Sequence, residues 1–536
     1  MTSDDPIKVE AKTSPQSYAK TAAIGMVWVS AAIAVAKLLS FISQIILGYL
    51  LTVETYAVFG LAAAALSLVA GFQNSSVAKV LIQKGANFDR LFPEYSALAF
   101  QLGIVGALIL IGLGFCLQFY YEMPALMPVL AVTAVSVPIL AANTILIADL
   151  SESFQFRRIN QAEIYRSLIY AIVLVSAAGL GADFLTVAIA TTLAAAIAHL
   201  YLRGMARQSP TYFRISTGAL RDLLKANRPA IIAGFLIALA MRADYLVLGR
   251  LLNAELLGFY TFGFMLVASL MQPISTGITQ VFLPVFAKQQ TDKAELGYSL
   301  DRYTLVTSVL ASMFCLTLMG VAPSLINFAW GGKWDGAQIV IVALLFAMPF
   351  RVVATISGVV FEATGAWDLR NKLLILQAVL LASFAGIGAV YGGLPGAIFG
   401  VIIQRILSGV VDFTAAKHFL GQGVLATIEF LLRSFAPFLV GASFLASQIG
   451  IVGEPATKHF AFITAYTLAA VAVTTVLMFA LNPSLRRDQG ALTIVAGANT
   501  DIKPTRGGQR PRLTINQPRH DTHLDHRRVT WPLIIL

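Results

Sequence analysis

Five basic residues interrupt long apolar stretches of this chain: Lys37, Arg166, Arg242, Arg351 and Arg405. A Lys or Arg at the centre of a bilayer-spanning helix costs roughly 2.5–3.5 kcal/mol on insertion scales. Such a residue must reach the membrane surface, pair with an acid, or face a polar cavity. Lys37 lies about 13 residues from either end of its stretch, roughly 20 Å at 1.5 Å per residue, which is beyond its side chain's reach. Arg405 lies about 10 to 11 residues in, Arg351 about 10 and Arg242 about 7, by the same helix geometry. Arg166, about four residues in, can reach the surface. Lys37, Arg351 and Arg405, followed by Arg242, are thus the candidates to line a polar cavity, where an excess of cations suits an anion and Arg supplies forked donors for phosphate. The competing reading is a set of buried ion pairs with Asp244 or Asp412 as partners. Asp244 follows Arg242 by two residues, so the two point to different helix faces and do not pair with each other. An ion-coupling role for Asp244 or Asp412 stands beside the ion-pair role.

Other chemistry is sparse. The chain has no GxxxxGK[ST], HExxH or GxSxG pattern and no Cys/His zinc spacing, so no catalytic residue, cofactor or metal site is expected. Asp149, Glu152 and Glu163 read as a solvated helix end beside Arg157 and Arg158 rather than as the paired carboxylates of a glycosyltransferase. His520, His523 and His526 have a spacing that could hold a metal, but they fall in a segment expected to be disordered. His199 reads as a packing histidine, the alternative being a proton relay. Gly392, Gly393, Gly396 and Gly400 read as helix-packing positions rather than a phosphate loop.

The elements that position these residues follow from the apolar pattern. Of 536 residues 57% are apolar and 12% charged, against roughly 25% charged in soluble domains. This excludes an ordinary soluble enzyme and a disordered chain. Apolar blocks of about 20 to 27 residues recur fourteen times between 22 and 481, the length a helix needs to cross a bilayer. The fold class is all-α: a polytopic membrane protein with about 14 transmembrane helices. Thirty of the 38 Lys and Arg fall on one set of alternating connections, three (Arg250, Lys333, Lys458) on the other set, and five within blocks. That asymmetry puts both termini in the cytoplasm. The net charge of +11 is therefore topological, and no nucleic-acid partner is expected. The connections on the outer side are short, the longest being about 13 residues near 324–336. A polymerase or ligase of surface glycans, one of three competing functional classes, would want a larger outer loop.

The organisation reads as a cytoplasmic N-terminal segment (1–21), a six-helix bundle (22–202), a cytoplasmic linker (203–228), a second six-helix bundle (229–416), two accessory helices (417–481) and a basic, disordered cytoplasmic tail (482–536). An internal repeat supports the division. ILGYLLTVETYAVF at 46–59 aligns without gaps with VLGRLLNAELLGFY at 247–260, and AGLGADFLTVAIA at 178–190 resembles AVYGGLPGAIFGV at 389–401. Six spans separate the copies, so the repeat is parallel, and substrate is expected where the halves meet near the bilayer midplane.

VLGRLLNAELLGFY, the following VFLPVFAKQQTD at 281–292, WGGKWDGA at 330–337 and FEATGAWDLR at 361–370 resemble the polysaccharide transporter family. That family holds lipid-linked oligosaccharide flippases for O-antigen and exopolysaccharide, within a superfamily that includes multidrug exporters and lipid II flippases. The resemblance covers about 20–480; Ala57 departs from it, standing where the family usually has Gly. It implies two six-helix bundles around a central cavity, alternating access, and two accessory helices in the bacterial inner membrane. It also implies a polyprenyl-pyrophosphate-linked repeat unit as substrate, membrane lipid as a partner, and other polysaccharide assembly proteins as further partners. A multidrug-type exporter of the same fold is the other alternative; it would favour acidic cavity residues, whereas this chain has more basic ones.

Overall fold

The computed structural model describes residues 39, 41–71, 76–83, 87–153, 155–212, 217–451 and 460–481. Lys37, the N-terminal segment 1–21, the tail at 482–536 and its three histidines lie outside them.

Among the described residues every regular element is helical. In chain order these are α1 (Phe41–Leu50), α2 (Val53–Gly71), α3 (Ser76–Gln83), α4 (Phe88–Tyr120), α5 (Leu126–Glu152), α6 (Phe156–Gly179) and α7 (Thr186–Met205). They continue as α8 (Thr217–Leu251), α9 (Ala254–Gln289), α10 (Lys293–Trp330), α11 (Asp335–Ala363), α12 (Trp367–Phe419), α13 (Val424–Ile451) and α14 (Phe460–Leu481). Eleven helices among the described residues are long and apolar enough to cross a membrane. That number takes α12 once, although its 53 residues are broken at Gly392 and at Gly393, where φ is 56°. Gly388 packs on the Gly396 carbonyl and Gly400 on the Phe384 carbonyl, so the two arms of α12 run back to back as a tight hairpin. Gly396 and Gly400 thus act as packing glycines, while Gly392 and Gly393 make the turn. This is a multi-pass membrane protein, and its described elements are all helices.

The helices outrun their apolar cores. Asn253 caps α9 by accepting from the Leu256 N–H, and Asp292 caps α10 by accepting from the N–H groups of Ala294 and Glu295. Both side chains satisfy donors that a helix start leaves open. Pro323, which the sequence places at a block edge, lies inside α10. That helix runs on to Trp330 and stops at Gly331, whose left-handed φ of 58° suits glycine. The connection near 324–336 therefore shrinks to 331–334.

The ends at 51–52, 121–125, 251–253, 331–334 and 392–393 share one side of the molecule, called here the Trp330 face; the linker residues 206–212 mark the opposite, linker face. α2 joins the two halves by packing on both α8 and α9, and α13 and α14 pack on α10.

Candidate functional site

The two repeated segments and the WGGKWDGA turn, far apart in sequence, meet on the Trp330 face. α1 ends in backbone carbonyls with no partner inside the helix. The 331–334 turn and its flanks supply them. Trp330 Nε1 donates to the Ile45 carbonyl at 3.1 Å and Trp334 Nε1 to the Gly48 carbonyl at 3.0 Å. Lys333 Nζ donates to the carbonyls of Tyr49 and Leu51 at 3.0 and 2.7 Å. A cation at a helix C-terminus also complements the helix dipole. Gly48 permits the approach, since a Cβ there would lie 2.5 Å from Trp330 Nε1. Partial burial lowers the Lys333 ammonium from its ordinary value, with Glu54 opposing the shift.

The second copy of the repeat makes a lighter version of the same contact. Gly249 stands in VLGRLL where Gly48 stands in ILGYLL. A Cβ at Gly249 would lie 2.8 Å from the Tyr121 ring, and the Tyr121 hydroxyl donates to the Leu246 carbonyl at 3.0 Å. In both copies the accepting carbonyl lies three residues before the glycine. Burial pushes the Tyr121 phenol up to about 12, so it stays a donor. An exposed pair, Arg250 with Glu122 at 3.1 Å, lies beside it. Gly60 of α2 packs on Thr261 of α9, and these two stand in the same register one residue past the aligned segments.

Beneath the first contact sits an aromatic plug. Phe262 stacks on Trp334 at 3.9 Å, and Trp330 and Tyr56 close on the same pair edge-on. On the linker side of the plug is a cavity of about 170 Å³ between the halves. Gln44 of α1, Phe59 of α2, Arg242 of α8, and Phe264, Ser269 and Gln272 of α9 line it. The Arg242 guanidinium lies over the Phe264 ring at 4.8 Å and the Tyr245 ring at 5.4 Å. Its Nη1 is buried without a hydrogen-bond partner among the described residues.

Behind Arg242 the C-terminal half holds a buried polar cluster. Asp244 is fully buried and accepts from the Tyr245 N–H at 3.0 Å and from the Tyr260 hydroxyl. Arg405, on the second arm of α12, is 3% exposed. It lies in the electrostatic neighbourhood of Asp244, Tyr260 and Arg242, and its Nε has no hydrogen-bond partner. Arg351 of α11, half-buried, shares the field of Arg405, Arg370, Asp244 and Asp412. Asp412 accepts from Gln377 Nε2 at 2.6 Å and faces Arg370 Nη1 at 3.7 Å. The structure thus gathers Arg242, Asp244, Arg405, Arg351 and Asp412 in one half. It places Arg242 on the cavity wall and Arg405 in the core behind it.

Sequence reasoning missed Arg370. It stood among the loop charges, yet its side chain is 12% exposed and rests against α11 at Gly358, where a Cβ would lie 2.6 Å from Nη2. Lys417 was placed the same way. It is 4% exposed and pairs with Asp301 at 2.5 Å.

The N-terminal half satisfies its ionisable groups at the linker face. Arg207 donates its backbone N–H to Asp149 at 2.7 Å, and its guanidinium meets Asp149, Glu152 and Asp89 at 3.5, 3.1 and 2.9 Å. Glu163 pairs with Arg166. His199 is engaged at both nitrogens, Nδ1 with Asn143 Oδ1 at 2.8 Å and Nε2 with the Tyr212 hydroxyl at 3.1 Å. No metal-holding group of His, Cys, Asp and Glu occurs among the described residues.

The fold is similar to those of a lipid II flippase and of multidrug transporters. The lipid II flippase MurJ, in an inward closed conformation, superposes with a TM-score of 0.64 at 13% identity, over 84% of this chain and 99% of that one. An inward-facing multidrug resistance MATE family transporter superposes at 0.56 and 15% identity, over 72% and 94%. Within that architecture the chain belongs to the family described as polysaccharide biosynthesis protein, which matches residues 46–339. Relatives include the teichuronic acid biosynthesis protein TuaB of Bacillus subtilis, 24% identical over 41% of this chain and 45% of its own length. The amylovoran biosynthesis protein AmsL of Erwinia amylovora is 21% identical over 52% and 73%. The lipopolysaccharide biosynthesis protein WzxC of Escherichia coli is 25% identical over 39% and 42%. The chain therefore spans less than half the length of TuaB and of WzxC.

Proposed function

We propose that this protein is a flippase. It would carry polyprenyl-pyrophosphate-linked oligosaccharide units across the bacterial inner membrane for surface or exopolysaccharide assembly. The observation that carries this reading is the Arg242-lined cavity between the halves, sealed from the Trp330 face by an aromatic plug and three donating side chains. A sealed outer face with a cationic cavity behind it fits the inward state of an alternating-access carrier. The family match and the relatives' named roles in polysaccharide and lipopolysaccharide biosynthesis fit the same substrate class. A cationic wall disfavours the cationic compounds a multidrug-type exporter would take.

The finer architecture belongs to this reading. Fourteen spans, with both termini cytoplasmic and the Trp330 face outside, would form two pseudo-symmetric six-helix bundles and two accessory helices. The matched glycine contacts at Gly48 and Gly249, the Gly60–Thr261 crossing, and the parallel pairings α4 with α5 and α10 with α11 support it. Lys37, Arg351 and Arg405 would add positive potential to the cavity, with Asp244 and Asp412 as ion-pair or coupling groups. Having no P-loop, the chain would draw on an ion gradient, the membrane potential, or consumption of product outside.

The test is genetic. Deleting the gene should abolish surface polysaccharide and build up lipid-linked units on the inner leaflet. Arg405→Ala and Lys37→Ala should do the same while leaving the protein's abundance near normal. Normal export from all the neutralised variants would remove the cationic site, and normal surface polysaccharide without the gene would end the flippase reading.

A further inference from the structure

The two contacts on the Trp330 face follow one plan and depart from it at one residue. Trp330 and Tyr121 each stand at the end of a long helix, α10 and α4. Each donates to the carbonyl three residues before a glycine of the repeat, Ile45 before Gly48 and Leu246 before Gly249. The residue after each donor has a left-handed backbone, with φ 58° at Gly331 and 57° at Glu122. A further grip falls near the residue after each glycine: Lys333 Nζ on the Tyr49 carbonyl, and the Glu122 carboxylate on the Arg250 guanidinium. The contacts cross between the halves. The C-terminal half holds the end of α1, and the N-terminal half holds the end of α8.

The departure is Glu122. A helix end that turns left-handed takes glycine by preference, and Gly331 meets that preference. For Glu122 the same φ brings the Cβ against the backbone. A left-handed residue other than glycine persists only where its surroundings hold it, and such residues cluster at sites that use the strain. Glu122 gains one ion pair from its position, Arg250 Nη2 at 3.1 Å, with the two side chains 72% and 51% exposed. Exposed pairs contribute little to stability. Glycine would therefore hold this turn better than Glu122 does. The contact on α1 is of another kind. Its two indoles are buried, and its backbone turns at a glycine.

Resting on the alternating-access reading above, we infer that Glu122 and Arg250 form a release latch on the outer face: the weaker of two crossed latches, strained when shut, and the first to part as the face opens. Parting lets Glu122 leave the left-handed region, so strain held in the closed state favours opening. It also frees the end of α8, the helix that carries Arg242 and Asp244. The contact on α1 then sets how firmly the face stays shut.

The test uses the full chain in spheroplasts. Cys116→Ser removes the exposed native thiol, and Ala268→Cys reports from the cavity wall. A membrane-impermeant maleimide added outside reaches position 268 when the Trp330 face opens. Glu122→Gln should raise the labelling rate about threefold, the scale of an exposed pair. Salt at roughly 1 M, where the screening length is about 3 Å, should raise labelling of the parent chain by a similar factor and leave Glu122→Gln unchanged. Arg250→Glu and Glu122→Arg should each raise labelling, and the two together should return it to the parent rate. Glu122→Gly should label as fast as Glu122→Gln, and after purification its melting temperature should equal or exceed the parent's. A lowered melting temperature in Glu122→Gly makes the pair a plain fastening and overturns the inference. Labelling that rises in Lys333→Met but in no Glu122 variant also overturns it, and leaves the flippase reading standing. A position 268 that no variant and no salt makes reachable from outside takes the alternating-access reading down as well.

Discussion

Asp149 and Asp244 are both fully buried carboxylates, one in each half, and their surroundings differ. Asp149 lies at the linker end of α5, where a backbone N–H and a guanidinium from the linker reach it. Asp244 lies seven residues inside α8, where a neighbouring N–H and the Tyr260 hydroxyl hold it and Arg405 and Arg242 supply charge without an ion-pair contact. The N-terminal half uses its ions to fasten a connection. Among the described residues the C-terminal half leaves more buried donors and acceptors open, atoms of Arg242, Arg405, Gln404 and Asp412 among them, against Asp149 Oδ1, Gln155 and Thr186 in the N-terminal half. Open buried polar atoms cost stability. A half that keeps them is built for something other than stability, and in a carrier that is a site whose partners change with its state.

The largest expected effect tests this asymmetry directly. Asp244→Ala removes the acid that offsets two guanidiniums, and breaking such a buried arrangement costs about 3–5 kcal/mol. The variant should fall in membrane abundance and in melting temperature. Arg405→Met removes a buried cation that has no ion-pair contact among the described residues but leaves Asp244 with Tyr260, the Tyr245 N–H and Arg242, so its cost should be smaller than that of Asp244→Ala. It should lower the melting temperature less than Asp244→Ala and still stop export. A large loss of stability in Arg405→Met would return Arg405 to a structural role.

Tyr260→Phe comes next. It deletes one hydroxyl donor to a buried carboxylate, a bond to a charged group worth about 1.5–3 kcal/mol. The loss should show as a lowered melting temperature of the purified chain, larger than any change from Tyr245→Phe, whose hydroxyl holds no carboxylate. Equal effects would mean that Asp244 does not depend on Tyr260.

The two glycine contacts give a comparison of their own. Three side chains bind the end of α1 and one hydroxyl binds the end of α8. Gly48→Val should displace Trp330 and open the Trp330 face. Labelling of a cysteine at Tyr49 by a membrane-impermeant maleimide should rise severalfold. Gly249→Val should raise the same labelling less. A larger effect from Gly249 would mean that the lighter contact is the one that closes the face.

Much of this was legible in the sequence, for physical reasons. Apolar block length fixes membrane helices because a bilayer sets their length, and the repeat at 46–59 and 247–260 marked two positions that pack alike. Arg351 and Arg405 stand out because their depth rules out reaching the surface, with Arg242 behind them at an intermediate depth. Arg370 did not stand out. It lies one turn into α12, where sequence alone reads a loop charge, and only packing against Gly358 and Asp412 shows that the helix begins earlier than its apolar block. The cavity's amides were silent as well, since Gln44 and Gln272 sit in apolar stretches without a charge to flag them. The 324–336 connection misled by length: capping and packing extend α10 and α11 past their apolar cores, and that extension brings Trp330 and Trp334 to α1.

The smallest effect belongs to the N-terminal half. Tyr212 reaches back from the linker to His199, which in turn holds Asn143, whose amide donates to the Ala195 carbonyl at 3.2 Å. With Asn143 Oδ1 accepting from Nδ1–H, Nε2 is left to accept the Tyr212 hydroxyl, and the chain of donors and acceptors closes with a neutral ring. Tyr212→Phe removes one neutral hydrogen bond, worth about 0.5–1.5 kcal/mol, while Arg207 still fastens the linker. Melting temperature should fall only slightly and export should continue. The linker should become more readily cleaved by trypsin near Arg214, because one of its anchors to α7 is gone. Arg207→Ala, which takes the guanidinium from Asp149, Glu152 and Asp89 and leaves only the backbone N–H on Asp149, should expose the linker more. If Tyr212→Phe alone stopped export, the His199 chain would be a working part of the transport cycle, and the N-terminal half would lose its description as the fastened one.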